Sequence, residues 1–438
     1  MSAGSDESSS RHAEVELRGL LQQRLQPVAP EDFETHQPIS VHFTGAISLR
    51  PRAAAYKGSM FAALPGDIVM SKIDARSGAI AIVPASIAQA VVTSEFPVFT
   101  PDPNVLDGRF VAIALRTHGF LERLKRLSTG TSGRKRVTPD GVLSLKIPLP
   151  DLSEQRAMVA AYDSQVQLAR GAIDASHGVV ARAVKSLEVS LGLEEEPPPV
   201  SQEFFATSLD MLNRWSHEAS INAHLGRSVA SSTLPMVQLG DVVEDLENGW
   251  SPQCLSRPAA GAEWGVLKLG AVSFGSFDPI QNKALPPSLQ PKPRLEVQQG
   301  DLLISRANVT RLVGAIALVE EVTSHLLLCD KIFRVVPLMD RPIEPEFLAE
   351  VLRLPFVRRQ IEAAITGTSP TMKNISKPAL LALEFPMPPK EEQSTLADRI
   401  RSAREESAAL RRTAAGILQT ASADFERLLL EEPGQDLR

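Results

Sequence analysis

Apolar and small residues recur every three or four positions through two long stretches of this chain. In the first they fall at Val159, Tyr162, Val166, Ala169, Ile173, Ser176, Val180, Ala183 and Leu187. In the second they fall at Leu396, Ile400, Ala403, Ser407, Leu410, Ala414, Ile417, Ala421, Phe425 and Leu428. Steps alternating between three and four make a heptad seam, so the pattern predicts two long helices packed on each other. About forty residues at ~1.5 Å each give a rod of roughly 60 Å. Each helix is preceded by a related motif, IPLPDLSEQ at 147–155 and FPMPPKEEQ at 385–393. Asp151 and Glu154 read as a capping box, and Pro389 takes the place of Asp151 in the second copy.

Ahead of each motif lies a mixed region of short apolar runs. ISVHFTGAISL (39–49), PGDIVMSKI (65–73), GAIAIVP (78–84) and AVVTSEFPVF (90–99) each read as one strand, GRFVAIALRTHGFLERLKRLS (108–128) as helix and TGTSGRKR (129–136) as a loop. The second region repeats this order with GVLKLGAVSF (265–274), QGDLLISRA (299–307), GAIALVE (314–320), LLCDKIFRVVP (327–337), PEFLAEVLRLPFVRRQIEAAI (345–365) and TGTSPTMKN (366–374). The offset stays near 234–238 residues through these motifs, which argues for duplication. Two features break the symmetry. Residues 11–25 read as a short amphipathic helix ended by Pro27 and Pro30, and LPMVQLGDVVEDLENGWSPQ (234–253) finds no counterpart before residue 39. The first region thus reads as shortened at its start.

The predicted fold class is therefore α/β (α+β), two repeated mixed regions separated by two long antiparallel coiled-coil helices. The chain divides into a tail and short helix (1–30), a first mixed region (31–150), a long helix (151–192), a linker and lead-in (193–235), a second mixed region (236–390), a second long helix (391–432) and a tail (433–438). MSAGSDESSS at the start lacks the basic and apolar parts of a signal peptide and reads as disordered, and LEEEPPPV (193–200) is an extended acidic linker. No apolar run approaches the ~20 residues that span a bilayer. Two cysteines, Cys254 and Cys329, fit a reducing cytoplasmic compartment and exclude a disulfide framework or a cysteine-based zinc site.

The net charge of −6 is unevenly spread. Residues 41–150 hold 14 Lys and Arg against 7 Asp and Glu, whereas 236–390 hold 16 against 17. An average can thus hide a basic face. No HExxH, CxxC pair, GxSxG or phosphate-binding GxxxxGK(S/T) motif occurs, the eight histidines are scattered, and no metal site is expected. An adenine methyltransferase would need an Asn-Pro-Pro-Tyr/Phe motif, which is absent. Asp67 and Asp301 follow a glycine at the start of a strand and read as turn residues rather than catalytic carboxylates.

The informative variation lies in the turns between matched strands. SKIDARSG carries Lys72 and Arg76, while SRANVTRLVG carries Arg306, Asn308, Thr310 and Arg311. The later loops carry Arg134, Lys135 and Arg136 in one copy and Thr371, Lys373 and Asn374 in the other. Singly, each is explained by an ordinary solvated turn. Together they form a fixed scaffold with differing Arg, Lys, Asn and Thr, which suits two surfaces that read different bases. Arg and Lys match guanine O6/N7, Asn matches adenine N6/N7, and other cations meet phosphates. In the second copy Trp250, Gln253 and Lys268 are further candidates.

On these residues, from PGDIVMSKIDARSGAIAIVP and QGDLLISRANVTRLVGAIALV to TGTSGRKRV, TGTSPTMKNIS and the two helix-opening motifs, the chain resembles the specificity (S) subunit of type I restriction–modification enzymes. The resemblance covers roughly 40–192 and 204–430. It implies two target recognition domains, each reading half of a bipartite site in double-stranded DNA, with the long helices as spacer and docking surface for two methyltransferase subunits. Restriction/translocase subunits would join the larger complex. Such a subunit has no catalytic centre and serves DNA methylation and phage defence. S-adenosylmethionine, ATP and Mg would belong to the partners, with no cofactor in this chain and no membrane association. The rival reading is a protein–protein scaffold of a defence complex without base readout. The helix positions that would make the spacer and meet partners are Tyr162, Val166, Ile173, Val180, Leu187, Leu396, Ile400, Leu410, Ile417 and Phe425. Replacing Leu410 with Asp is expected to abolish assembly with the partners while leaving the melting of the mixed regions nearly unchanged, which co-purification and calorimetry would read separately.

Overall fold

The computed structural model describes residues 12–51, 58–129, 135–193, 232–322, 325–340, 343–367 and 372–430. Expectations for the N-terminal ten residues, the acidic linker after Leu193 and the lead-in up to residue 231 fall outside them. The chain forms two compact units, Met1–Ala175 with Ala409–Arg438, and Ser176–Ala408. Each unit therefore contains part of both long helices.

The first unit contains β1 (Glu14–Glu16), β2 (Leu21–Arg24), β3 (Pro27–Val28), β4 (Gln37–Val41), β5 (Ile47–Leu49), β6 (Met60–Ala63), β7 (Ile68–Met70), β8 (Ile80–Ile82), β9 (Ala90–Thr93), β10 (Val98–Pro101), α1 (Gly108–Ala114), α2 (His118–Leu127), α3 (Pro139–Leu143) and β11 (Lys146–Pro148). The helix α4 (Leu152–Ser190) begins here. Its sheets have the orders β2-β10-β7-β8, β3-β6-β9-β4-β5 and β1-β11. The helices cover the first sheet through Phe110, Phe120 and Leu124, buried with Ile68, Met70, Ile80 and Phe99 in one core.

The second unit continues with β12 (Met236–Gln238), β13 (Val243–Asn248), β14 (Gly265–Leu267), β15 (Val272–Ser273), β16 (Ser276–Phe277), β17 (Asn282–Ala284), β18 (Leu302–Ser305), β19 (Ala307–Asn308), β20 (Ile316–Leu318), β21 (Leu326–Leu327), β22 (Ile332–Pro337), α5 (Pro345–Val351), α6 (Pro355–Ala364), β23 (Lys373–Asn374), α7 (Lys377–Leu381), β24 (Glu384–Pro386) and the start of α8 (Lys390–Leu430). Its main sheet, β13-β22-β18-β20, repeats the strand order of the first unit. The pair β12-β24 repeats β1-β11, and β14 runs parallel to β21 as β4 does to β9.

Six expectations are corrected. Residues 14–24 form β1, a 3-10 turn at Leu17–Gly19 and β2, not an amphipathic helix. Leu17, Leu20 and Leu21 are buried because tertiary pairing with β11 and β10 offers the backbone a sheet ladder that a short isolated helix lacks. These residues are the counterpart of 236–248, offset by 222 rather than 234 (Leu17 to Leu239, Ile68 to Leu302). The start of the first region is therefore present, a boundary at residue 30 would cut three sheets, and the shortening lies between β2 and β7. Residues 39–49 are a hairpin turning at Gly45 (φ 75°), and residues 90–99 are two strands of different sheets, β9 and β10. Each predicted mid-domain helix is two, α1–α2 and α5–α6, breaking at Arg116 and Arg353. The seam of α8 ends on buried Leu429, with Leu428 exposed.

The long helices pack antiparallel along the predicted seam. In the first unit Tyr162 meets Phe425 edge-on with ring centroids 5.9 Å apart, and Phe110 lies 5.7 Å from the same ring. In the second, Leu187, Leu396, Ala397 and Ile400 join the domain core. Asp151 caps α4 by accepting from the N–H groups of Ser153 and Glu154 at 2.9 Å, while Glu154 lies 3.5 Å from His12 Nε2. Pro389 O accepts the first N–H groups of α8 at 3.0 and 3.2 Å.

The last residue of each helix-opening motif has a specific structural task. Gln155 is fully buried (0% exposed), accepts from Asp107 N–H at 2.8 Å, and donates to Val105 O and Pro150 O at 3.0 and 2.8 Å. Gln393 (3% exposed) repeats this with Glu344 N–H at 3.2 Å and Pro388 O at 3.0 Å. One amide thus ties the first turn of a long helix to the start of the domain helix beside it. Gln393→Ala is expected to destabilise the second unit by ~1–3 kcal/mol, the cost of leaving buried partners unsatisfied. Chemical denaturation of that variant against the parent chain would measure it.

Candidate nucleic-acid interface

In the first unit β7 ends in a turn built on Ser71. Its Oγ accepts from Asp74 N–H at 3.1 Å and donates to Asp74 Oδ2 at 3.3 Å. A 3-10 turn at Ala75–Ser77 follows, closed by Gly78 at φ 98°. Lys72 is held from both sides, its N–H donating to Glu95 O at 2.9 Å and its carbonyl accepting from Val137 N–H at 2.8 Å. The loop before Val137 is closed by Thr129 and Arg136, which exchange backbone hydrogen bonds at 3.0 and 2.9 Å. Three loops thus meet at Lys72.

The second unit builds the same junction from different residues. Arg306 N–H donates to Lys331 O at 2.9 Å and Arg306 O accepts from Ile375 N–H at 3.0 Å. Thr366 and Asn374 close the late loop with bonds of 2.8 and 2.9 Å, and β19 pairs with β23 through Ala307–Asn374 and Asn308–Lys373. The structure therefore gathers Lys72, Arg76, Lys135 and Arg136 in one unit, and Arg306, Asn308, Thr310, Arg311, Lys373 and Asn374 in the other. Arg134 and Thr371 lie outside the described residues.

Their side chains are not equivalent. Among the described residues Lys72, Arg76, Lys135 and Arg311 have no carboxylate within ion-pair distance, and Lys135 and Arg311 are exposed. Arg136 is paired with Glu95 at 3.1 Å. Arg306 packs over the Phe333 ring at 5.6 Å, Asn308 Oδ1 accepts from Val309 N–H at 2.9 Å, and Lys373 Nζ donates to Gly367 O at 2.6 Å. The turn Thr310–Leu312 is braced by Arg358, which donates to Thr310 O at 3.0 Å and to Val313 O, and pairs with Glu362.

Sequence reasoning missed Glu95, Lys331 and Arg358. Glu95 sits in a turn hidden inside what reads as one strand. Matching EFPVF to KIFRV at the shared offset places Lys331 opposite Glu95, a charge reversal at the junction. Of the further candidates, Trp250 is half-buried beneath Lys292 Nζ (4.4 Å), next to Ser251, which bonds Asp330. Gln253 is exposed, and Lys268 precedes a 3-10 turn without capping it.

Asp67 and Asp301 hold the scaffold. Asp67 is buried, pairs with Arg24 at 2.7 and 3.1 Å, and accepts from Thr100 Oγ1 and Leu64 N–H at 2.7 and 2.8 Å. Asp301 accepts from Gln298 N–H at 3.0 Å and pairs with Arg334 at 3.2 Å. The arginine comes from β2 in one unit and from β22, the neighbouring strand, in the other. Among the described residues no His, Cys, Asp and Glu cluster could hold a metal, and no helix is long and apolar enough to cross a membrane.

An α/β unit built twice with the same main-sheet order and the same loop junction, with antiparallel long helices, defines a duplicated α/β scaffold. Comparison with known proteins gives that class a relative. The chain is 26% identical over 386 residues to the type I restriction enzyme EcoEI specificity subunit of Escherichia coli, covering 74% of this chain and 65% of that protein, just under two thirds of its length. No family model matches. Among solved structures, one describing complex assembly and conformational transition of the type I R-M system shares 16% identity over 95% of this chain and 97% of its own, with a TM-score of 0.50. The HsdS subunit from Thermoanaerobacter tengcongensis (16% identity, 95% and 96% coverage, TM-score 0.37) and the type I S subunit from M. genitalium (12%, 98% and 98%, 0.44) are also similar. The chain is thus similar in sequence to a type I restriction enzyme specificity subunit and similar in fold to a solved type I R-M structure.

Arg257 of the second unit is neutralised by an ion pair. Arg257 grips Glu263 with both terminal nitrogens (2.6 and 2.7 Å) and, with the Ala260 N–H, holds that carboxyl at about 2. The carboxyl's pKa is depressed by folding, so its contribution to stability is complete above the usual carboxylate range and is lost as pH falls through about 2. An NMR titration is expected to leave the Glu263 carboxyl ionised at pH 4, where an unpaired glutamate is largely protonated.

Proposed function

We propose that this chain is the non-catalytic DNA sequence-specificity subunit of a type I restriction–modification complex. Each unit reads one half of a bipartite site in double-stranded DNA, and the chain docks two methyltransferase subunits and the restriction/translocase subunits. S-adenosylmethionine, ATP and Mg act on those partners. The observation that carries this reading is the three-loop junction, built twice with the same backbone bonds and presenting Lys72, Arg76 and Lys135 in one unit but Arg306, Asn308 and Arg311 in the other. A protein scaffold has no need to hold backbone geometry constant while exchanging hydrogen-bonding side chains at the tips. The relationship to the EcoEI specificity subunit supports the same reading.

Co-expression with a cognate methyltransferase, followed by mapping of methylated adenines, tests it. A discontinuous motif of two short parts is expected, whereas a continuous motif or no modification would reject the proposal. Within that complex, Arg306→Ala is expected to relax discrimination at one base pair by ~1–3 kcal/mol, while Lys72→Ala weakens all sequences alike and lowers the salt slope by about 1. Competition binding at several salt concentrations separates the two effects.

A further inference from the structure

We infer that Phe43, with Phe274 as its counterpart, is an apolar wedge that enters a base step of the half-site; this rests on the DNA-reading function proposed above. Phe43 is 61% exposed at the tip of the β4–β5 hairpin. The tip is closed by His42 N–H to Ala46 O and Gly45 N–H to His42 O, both 2.9 Å, and by His42 Nε2 against Ser48 Oγ at 2.7 Å. It is also fixed against the candidate interface. A Cβ on Gly78 would stand 2.5 Å from Phe43 O, so the hairpin backbone presses on the turn that carries Lys72 and Arg76. Beneath the tip, the space that a side chain at Gly45 would need is filled by the Arg116 guanidinium.

The second unit repeats the device with different chemistry. Phe274 is 44% exposed at the tip between β15 and β16, next to Gly275 at φ 74°. Gly275 N–H donates to Ile316 O at 2.9 Å, at the start of the strand that follows the reading turn. Guanidinium groups again underlie the glycine, from Arg353, the counterpart of Arg116, and from Arg404. Arg358, which braces Thr310, stacks 5.2 Å from the Phe274 ring.

An exposed ring on a rigid tip gains little from water. Docking onto a protein would ask for further apolar surface around it. Here the turn pressed against the tip at Gly78 carries Lys72 and Arg76, which have no carboxylate within ion-pair distance among the described residues. Cations for phosphates on a turn braced against an apolar ring suit a duplex, where the ring partly unstacks a step and makes specificity depend on how readily that step deforms. Phenylalanine suits this role because it has no polar group to leave unpaired.

The test uses the full chain reconstituted with its methyltransferase and duplexes carrying the mapped site, with 2-aminopurine placed at each half-site position in turn. The parent complex should show a several-fold fluorescence rise at one step of each half. Phe43→Ala should abolish the rise in one half only and weaken cognate binding about tenfold, the scale of one base contact. Affinity for random DNA, salt slope and co-purification should be unchanged, and Phe43→Trp should retain the signal. Phe274→Ala should do the same in the other half. An unchanged signal and preference in Phe43→Ala would overturn the wedge alone. So would loss of co-purification, which would make Phe43 a partner contact, or sensitivity to thymine-to-uracil exchange without a fluorescence rise, which would make it a groove contact. Absence of cognate preference in the parent complex would defeat the DNA reading and the wedge together.

Discussion

A buried side-chain amide fixes where each long helix leaves its domain. Gln155 and Gln393 sit in the first turns of α4 and α8, each accepting from the backbone at the start of a domain helix and donating to the carbonyl before the long helix. Glutamine is well suited because it supplies a donor and an acceptor without a charge to desolvate. Once that joint is set, the heptad seam determines which residues face the neighbouring helix. The seam is rich in Ala and Ser, so close backbone approach replaces large apolar burial, with Phe425 and Leu429 anchoring one unit and Leu396 and Ile400 the other.

The second constraint lies under the reading surface. The Gly–Asp turn before β7 and β18 is locked by an arginine, taken from β2 in one unit and from β22 in the other. The ion pair is kept while its donor moves to the adjacent strand. That exchange shows which quantity the fold requires, a neutralised aspartate under the sheet edge, and it leaves the turn above free to vary. Lys72 and Arg306 occupy the same backbone position, Glu95 and Lys331 carry opposite charge at the next, and the junction geometry does not change. A surface that holds donors and acceptors in a constant frame while their identities change is suited to reading different sequences with one architecture.

The sequence by itself determined the duplication, the two long helices and their seam, the position of both turns and the absence of known catalytic motifs. These are local or periodic properties, set by residue spacing and by glycines at turns. Only the tertiary structure decided the rest. Residues 14–24 carry an amphipathic pattern that a helix would satisfy, and they become strands because β10 and β11 offer hydrogen-bonding edges from more than seventy residues away. Alternation in 39–49 and 90–99 could not reveal that each run folds back, since the reversal depends on a turn that fits its neighbours. The meeting of three loops at Lys72 and Arg306, and of Phe43 with Gly78, joins residues distant in the chain. No local pattern encodes those contacts, because they arise from sheet order and packing.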